Sequence, residues 1–295
     1  MTDGVALTGA AWTHAADDAA LAPLAEPLRT RALRAERVTR LVLVAGSRAL
    51  ELAGLAVDAG PPRVDVGVVL GTMLGCFLTN AAYAERLAEA GPPGASPRLF
   101  AATVSNAAAG ELAIACRLGG PTATLSAGRA SGLVALGHAV DLVRDGRATT
   151  IVAGGADATG EAATRWTRDA ALGLAPGDAA ALAVLEPLAV ARARGAAILG
   201  TLLGWGAAFE PRAGASGGDA ALDAALRDAG LRRADVARIV GATTAEGRPD
   251  PLAACGPLAL VATLAETPPG TAIAVVATCP TGHAAAVVAR AGDVA

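Results

Sequence analysis

Short apolar runs alternate with longer amphipathic ones along this chain. Residues 5–8, 66–70, 123–126, 149–153 and 180–185 read as strands, several of them rich in β-branched residues. Residues 38–53, 106–118 and 131–145 carry helical spacing, and Gly146 stops the last of these. A short Ala/Arg run follows at 189–194. A second series then begins, with strands at 198–203, 236–242 and 273–277 and a further candidate at 285–289. Its helices fall at 219–229, closed by Gly230, and at 252–265. The clearest loop is 211–218. The alternation predicts α/β layers with buried, largely parallel strands. The two series, split near residue 195, have a similar order. That predicts an internal duplication, although no residue-level repeat is visible.

Composition narrows the class. The 295 residues are too many for one ordinary core and suit two fused domains or one large α/β domain. Hydrophobic residues make up 53% and charged residues 17%, the reverse of a disordered chain. Aromatics are 2%, so the core is built from Ala, Val and Leu. The net charge of −3 argues against a nucleic-acid binder, which needs a basic face for phosphates. All 24 basic residues are Arg, which excludes Schiff-base and P-loop lysine chemistry. Cys76, Cys116, Cys255 and Cys279 are scattered without a C-x-x-C pair, so no metal, cofactor or disulfide framework is expected. Met1-Thr2-Asp3-Gly4 lacks the basic and apolar regions of a signal peptide, and no apolar run reads as a membrane span. The expected location is cytoplasmic.

Four ordered motifs carry a family resemblance. They are Ala102-Thr103-Val104-Ser105-Asn106-Ala107-Ala108-Ala109-Gly110, Leu118-Gly119-Gly120-Pro121-Thr122, Ser126-Ala127-Gly128-Arg129-Ala130-Ser131-Gly132, and Val152-Ala153-Gly154-Gly155-Ala156-Asp157-Ala158. Gly71-Thr72 after a strand and Val184-Leu185-Glu186-Pro187-Leu188 before the Ala/Arg run fit as well. In order and spacing the chain resembles the β-ketoacyl synthases, well over about residues 60–205 and loosely elsewhere. The resemblance implies a thiolase-like α/β fold of two pseudo-duplicated halves in α-β-α-β-α layers. Residues 1–194 would form the N-terminal half and 195–295 a shortened C-terminal half, together one structural unit.

The chemistry of that family is expected to be missing. The family pattern Ser-Thr-Ala-Cys-Ala-Ser-Gly puts a cysteine nucleophile at a helix N-terminus, where unpaired N–H groups stabilise a thiolate. Here Arg129 stands at the nucleophile position, and a permanent cation cannot attack a thioester. Its charge also opposes the positive helix end by roughly 0.3–1 kcal/mol, so it needs an anion, carbonyls or solvent. At the first catalytic His position stands Thr243, which cannot hold a proton as His does. For the second His two alignments remain. In one, Thr281-Gly282-His283 is the catalytic motif, without its usual preceding Lys, and the chain ends inside the next helix. In the other, 273–278 and 285–289 are the last two strands, Pro280-Thr281-Gly282 is their turn, and the His-bearing strand is deleted. The second completes the sheet, and on it His283 is a turn residue and not catalytic. With either alignment the catalytic set is broken in at least two places.

A ketosynthase-like chain without its nucleophile resembles a chain-length factor, the non-catalytic partner of a type II polyketide ketosynthase. The short form is most similar to partners in highly reducing, polyene-type systems. The resemblance implies a heterodimer with a catalytic ketosynthase subunit, and contact with acyl carrier protein mainly through that subunit. Arg98, Thr122, Thr124, Ser126 and Arg129 would lie at the dimer interface, and Leu99 and Phe100 would shape or gate the acyl-chain tunnel. Two rival readings are kept. One is an acyltransferase or condensing enzyme whose nucleophile has moved, to Cys76 or Cys279. The other is a homodimeric scaffold.

Overall fold

The computed structural model describes residues 4–55, 60–211, 217–244 and 247–292. Met1, Thr2 and Asp3, the middle of the 211–218 loop, and Ala245 and Glu246 lie outside the described residues.

The strands are β1 (Val5–Thr13), β2 (Val66–Gly71), β3 (Thr122–Leu125), β4 (Thr150–Asp157), β5 (Ala179–Pro187), β6 (Gly200–Phe209), β7 (Arg238–Gly241), β8 (Ala272–Thr278) and β9 (His283–Ala291). They form one nine-stranded sheet in the order β3-β2-β4-β5-β1-β6-β9-β8-β7. The helices are α1 (Asp18–Leu21), α2 (Glu26–Arg34), α3 (Arg37–Leu52), α4 (Phe77–Ala90), α5 (Pro97–Ala101), α6 (Ala107–Ala115), α7 (Ser131–Arg144), α8 (Glu161–Asp169), α9 (Leu188–Ala193), α10 (Gly217–Ala229) and α11 (Cys255–Ala265).

The strand order is a repeat. Outward from β1 come β5, β4 and β2, paired antiparallel, antiparallel and parallel. Outward from β6 come β9, β8 and β7, with the same three senses. A short antiparallel pairing of β1 with β6 joins the two sets. Among the described residues β3 has no counterpart in the second set. The repeat makes β8 and β9 the closing pair of the second half, as in the second of the two alignments. His283 is the first residue of β9, beyond a tight turn.

The sheet is mostly antiparallel, contrary to the expectation of largely parallel strands. β4 and β5 are buried along nearly their whole length because helices cover both faces. Two-sided burial, not parallel pairing, produced their continuous apolar runs.

Three apolar clusters record the layering. Leu41, Val42 and Leu50 of α3 and Leu112 of α6 pack on the outer face of β2, β4 and β5. Leu133, Leu136 and Val140 of α7 and Leu260 and Leu264 of α11 pack between the two strand sets, against Ile151 and Leu185 on one side and Ile273 and Val287 on the other. Leu222 and Leu226 of α10 cover the outer face of β8 and β9. The result is α-β-α-β-α, with α7 and α11 in the middle.

Two glycines draw the halves together near the start of α7. A Cβ on Gly132 or Gly155 would come within 2.1 or 2.0 Å of the Ala253 carbonyl oxygen. Their bare backbones admit the short helical turn Leu252–Ala254 against α7 and β4, which brings Asp250 beneath residue 129.

Candidate functional site

After β3 the chain turns through Gly128, at φ 57°, and enters α7 at Ser131. The Ser131 hydroxyl accepts the Ala127 N–H at 2.7 Å and fixes this turn. A Cβ at 128 would lie 2.3 Å from Cys279 Sγ, so glycine is required there for space as well as for backbone angle.

Arg129 follows, only 8% exposed. Its guanidinium grips Asp250 with two nitrogens, Nε to Oδ1 at 3.1 Å and Nη2 to Oδ2 at 3.1 Å. Nη1 donates to the Thr278 carbonyl at 2.9 Å and Nη2 to the Ala242 carbonyl at 3.1 Å. Thr278 ends β8 and Ala242 follows β7, so one side chain ties α7 to two strands of the other half. Asp250 is completed by the Leu252 N–H at 2.8 Å and the Thr244 hydroxyl at 3.0 Å. Burial works against the Arg129 charge, but the negative charge of Cys255 once ionised and the hydrogen-bonded Asp250 outweigh it and hold its pKa above the ordinary value. The anion demanded by a cation at a helix start is thus supplied from within the chain. The hydrogen bonds of Arg129 all go to groups of its own chain. Thr243 is exposed, and its neighbour Thr244 joins the cluster instead.

A second carboxylate, Asp157 at the end of β4, is fully buried and has no cation paired with it among the described residues. It accepts from Thr72 Oγ1 at 2.7 Å and from the N–H groups of Leu74, Met73 and Ala253 at 2.7, 3.0 and 3.0 Å. Burial raises its pKa, against the pull of these donors. Neither acid was singled out from the sequence. The available signals were an Asp closing an apolar strand and an Asp between two prolines, Pro249 and Pro251.

The other candidates separate. Cys76 is buried at the start of α4, donating to the Thr103 carbonyl at 2.8 Å and accepting from Asn80 Nδ2 at 3.3 Å. Cys116 and Cys255 are buried, and burial pushes each thiol up to about 12. Cys279 and His283 flank the β8–β9 turn, with Thr281 Oγ1 3.0 Å from the sulfur and 3.2 Å from Nδ1. Together with Arg129 they line a cleft of about 410 Å³.

On the opposite flank, Arg98 of α5 pairs with Glu36 at 3.4 Å and donates to the Arg34 carbonyl at 3.2 Å. Arg98 lines a cleft of about 500 Å³ with Arg31, Arg34 and Glu111. Leu99 is buried and Phe100 is 62% exposed, its ring 5.9 Å from that of Tyr83. Neither lines that cleft. Thr122 and Ser126 are exposed at the β3 edge, and Thr124 Oγ1 is buried with no partner among the described residues. Among the described residues no helix is long and apolar enough to cross a membrane.

The family model described as "Beta-ketoacyl synthase, N-terminal domain" matches residues 10–191. The chain belongs to the β-ketoacyl synthase family. Relatives of this synthase-family chain include 3-oxoacyl-[acyl-carrier-protein] synthase 2 of Vibrio cholerae, 32% identical over 217 residues, covering 64% of this chain and 52% of the relative. Another is the oxytetracycline polyketide putative beta-ketoacyl synthase 1 of Streptomyces rimosus, 33% identical over 211 residues, covering 62% and 49%. The chain spans about half the length of these curated relatives. Solved structures extend the fold match to the whole chain. "The ishigamide ketosynthase/chain length factor" aligns with a TM-score of 0.78 at 24% identity, covering 98% of this chain and 99% of that one. A beta-ketoacyl synthase from Burkholderia phymatum aligns with a TM-score of 0.82 at 19% identity, over 98% and 99%. The synthase-family chain therefore has the mixed α/β thiolase-like fold.

Proposed function

We propose that this chain is a non-catalytic, chain-length-factor-like partner of a type II polyketide ketosynthase. It completes a heterodimer and shapes the tunnel in which the partner extends an acyl chain. The observation that carries this reading is the buried Arg129–Asp250 pair at the position the resemblance gives to the nucleophile. The pair fills the space with a neutralised cation braced by two carbonyls, and nothing in it can attack a thioester.

The β3 edge, just before this pair in the chain, supports the partner. The Val68 N–H in β2 donates to the Pro121 carbonyl, and the Thr72 N–H just after β2 to the Leu125 carbonyl. By the alternation of a parallel ladder, the backbone groups of Thr122 and Thr124 face away from β2, free to pair with another strand. Phe100, Val104 and Ile114, along the segment flanking this edge, are 62%, 52% and 60% exposed. α6 is apolar almost all round, a pattern of helices that something covers. Arg98, Thr122, Thr124 and Ser126 remain interface residues in this reading. Phe100 is the residue placed to reach a tunnel at that interface, while Leu99 supports it from inside. Acyl carrier protein docks mainly on the ketosynthase subunit.

The test is co-expression with a ketosynthase bearing an intact cysteine. We expect a one-to-one complex that exchanges neither subunit for a second copy of itself. A stable homodimer that ignores the ketosynthase would overturn the reading and favour a scaffold.

A further inference from the structure

The β8–β9 turn carries chemistry that a purely architectural subunit does not need. Cys279 and His283 are brought together because the Cys279 N–H donates to the His283 carbonyl at 2.8 Å and the Gly282 N–H to the Cys279 carbonyl at 2.9 Å. Gly282, at φ 97°, closes the turn. Thr281 stands between the two side chains, its hydroxyl donating to Cys279 Sγ at 3.0 Å and 3.2 Å from His283 Nδ1. The hydroxyl has one hydrogen. When it points at the sulfur, His283 Nδ1 must be the donor to Thr281 Oγ1. The three side chains thus form one continuous polar relay from the sulfur to the imidazole. The Phe209 ring, 4.9 Å from the imidazole, holds His283 in place.

The surroundings agree. Cys279 Sγ packs on Gly128, just before α7, beside the buried Arg129 guanidinium, which is fixed on the carbonyl of the preceding Thr278. Cys279 and His283 open onto the cleft of about 410 Å³, also lined by Glu210 and by Gly217 and Gly218 at the start of α10. All four thiols are buried, but only Cys279 lines this cleft; Cys76 spends its proton on the Thr103 carbonyl and Cys255 faces the Arg129 carbonyl at 3.5 Å.

We propose that Cys279, Thr281 and His283 form an acyl-accepting site that takes an acyl group from a small thioester. This rests on the reading that the chain works among acyl thioesters. The thiol proton passes to Thr281 Oγ1 as the threonine's own proton passes to His283 Nδ1. The thiolate attacks the thioester carbonyl, a new sulfur–carbon bond forms, and the old one to the leaving thiol breaks. The imidazolium proton returns to that leaving thiolate. No electrons change hands and no carbon–carbon bond is made.

The whole chain, alone, is incubated with butyryl-N-acetylcysteamine and followed by intact mass and peptide mapping. We expect one butyryl group, on Cys279. Thr281→Val and His283→Ala should slow its appearance by about a hundredfold, the range of a positioned acid–base group. Thr281→Ser should restore the rate, and Cys76→Ala should leave it unchanged. An unlabelled chain, label on another cysteine, or equal rates in Thr281→Val and wild type would overturn the site. Binding to a ketosynthase is measured on the same samples. Loss of acylation with binding intact removes this inference alone, and loss of binding with acylation intact removes the heterodimer reading alone.

Discussion

A single cation decides how the centre of this molecule is built. Arg129 is buried only because Asp250 and two strand-end carbonyls meet it. Removing it strands a buried carboxylate, so Arg129→Ala should lower unfolding free energy by about 3–5 kcal/mol, read by urea denaturation. A loss near 0.5 kcal/mol, typical of surface changes, would mean the pair is solvated. Replacing both partners, as Arg129→Met with Asp250→Leu, should recover most of the loss. The charge at the helix start was legible in the sequence because nucleophile and arginine are chemically opposite. Its partner was not, since Asp250 lies 121 residues away and only the packed glycines 132 and 155 bring it near. The buried thiols give a pH prediction. Cys116 and Cys255 are held near 12 in the fold against 9.0 in an open chain, so the folded state binds their protons more tightly. Their contribution to stability is complete below pH 9 and is lost as pH rises toward 12, and Tm should fall across that window. In the same samples at pH 8, iodoacetamide should leave both thiols unlabelled until the chain unfolds. Rapid labelling of the native protein would contradict their burial.

Among the elements, those legible in the sequence were the ones with large apolar residues at regular spacing. α3 and α7 bury Leu and Val at three- and four-residue steps, and the pattern placed each within a residue or two. α4 and α8 escaped notice for a physical reason. α4 is peripheral and buries only Thr79, and α8 buries Ala163 and Thr167, too small and too polar to write a stripe. The sense of the strands was misread because two-sided burial looks the same in parallel and antiparallel sheets. β3 yields the sharpest test at this scale. The Thr124 N–H faces away from β2, so Thr124→Pro removes no hydrogen bond inside the chain. The variant should fold with unchanged circular dichroism yet bind a ketosynthase about tenfold more weakly, the effect of one lost hydrogen bond of ~1.4 kcal/mol. Undiminished binding by calorimetry would place the interface elsewhere.

At the scale of the whole molecule, the repeat bears on the proposed loss of condensing chemistry. The second strand set keeps the β6-β9-β8-β7 order and, among the described residues, shows no counterpart of β3. The duplication was visible in the sequence as two series of similar order, while the number of strands in the second depended on which alignment was right, and only the pairing of β8 with β9 decides it. What remains is a thiolase-like body whose two strand sets clasp α7 and α11 and whose Arg129–Asp250 ion pair stands, in the proposed reading, where a nucleophile would be. Such a body can complete an interface and wall a tunnel, and the account stands on its inability to join carbon to carbon. The direct measurement follows isotope from labelled malonyl-carrier protein into extended product, using the purified chain alone, a catalytic ketosynthase alone, and the two together. The account predicts chain extension in the mixture, abolished when the ketosynthase's own cysteine is replaced, and none from this chain alone. Extended product formed by this chain without a companion would contradict it.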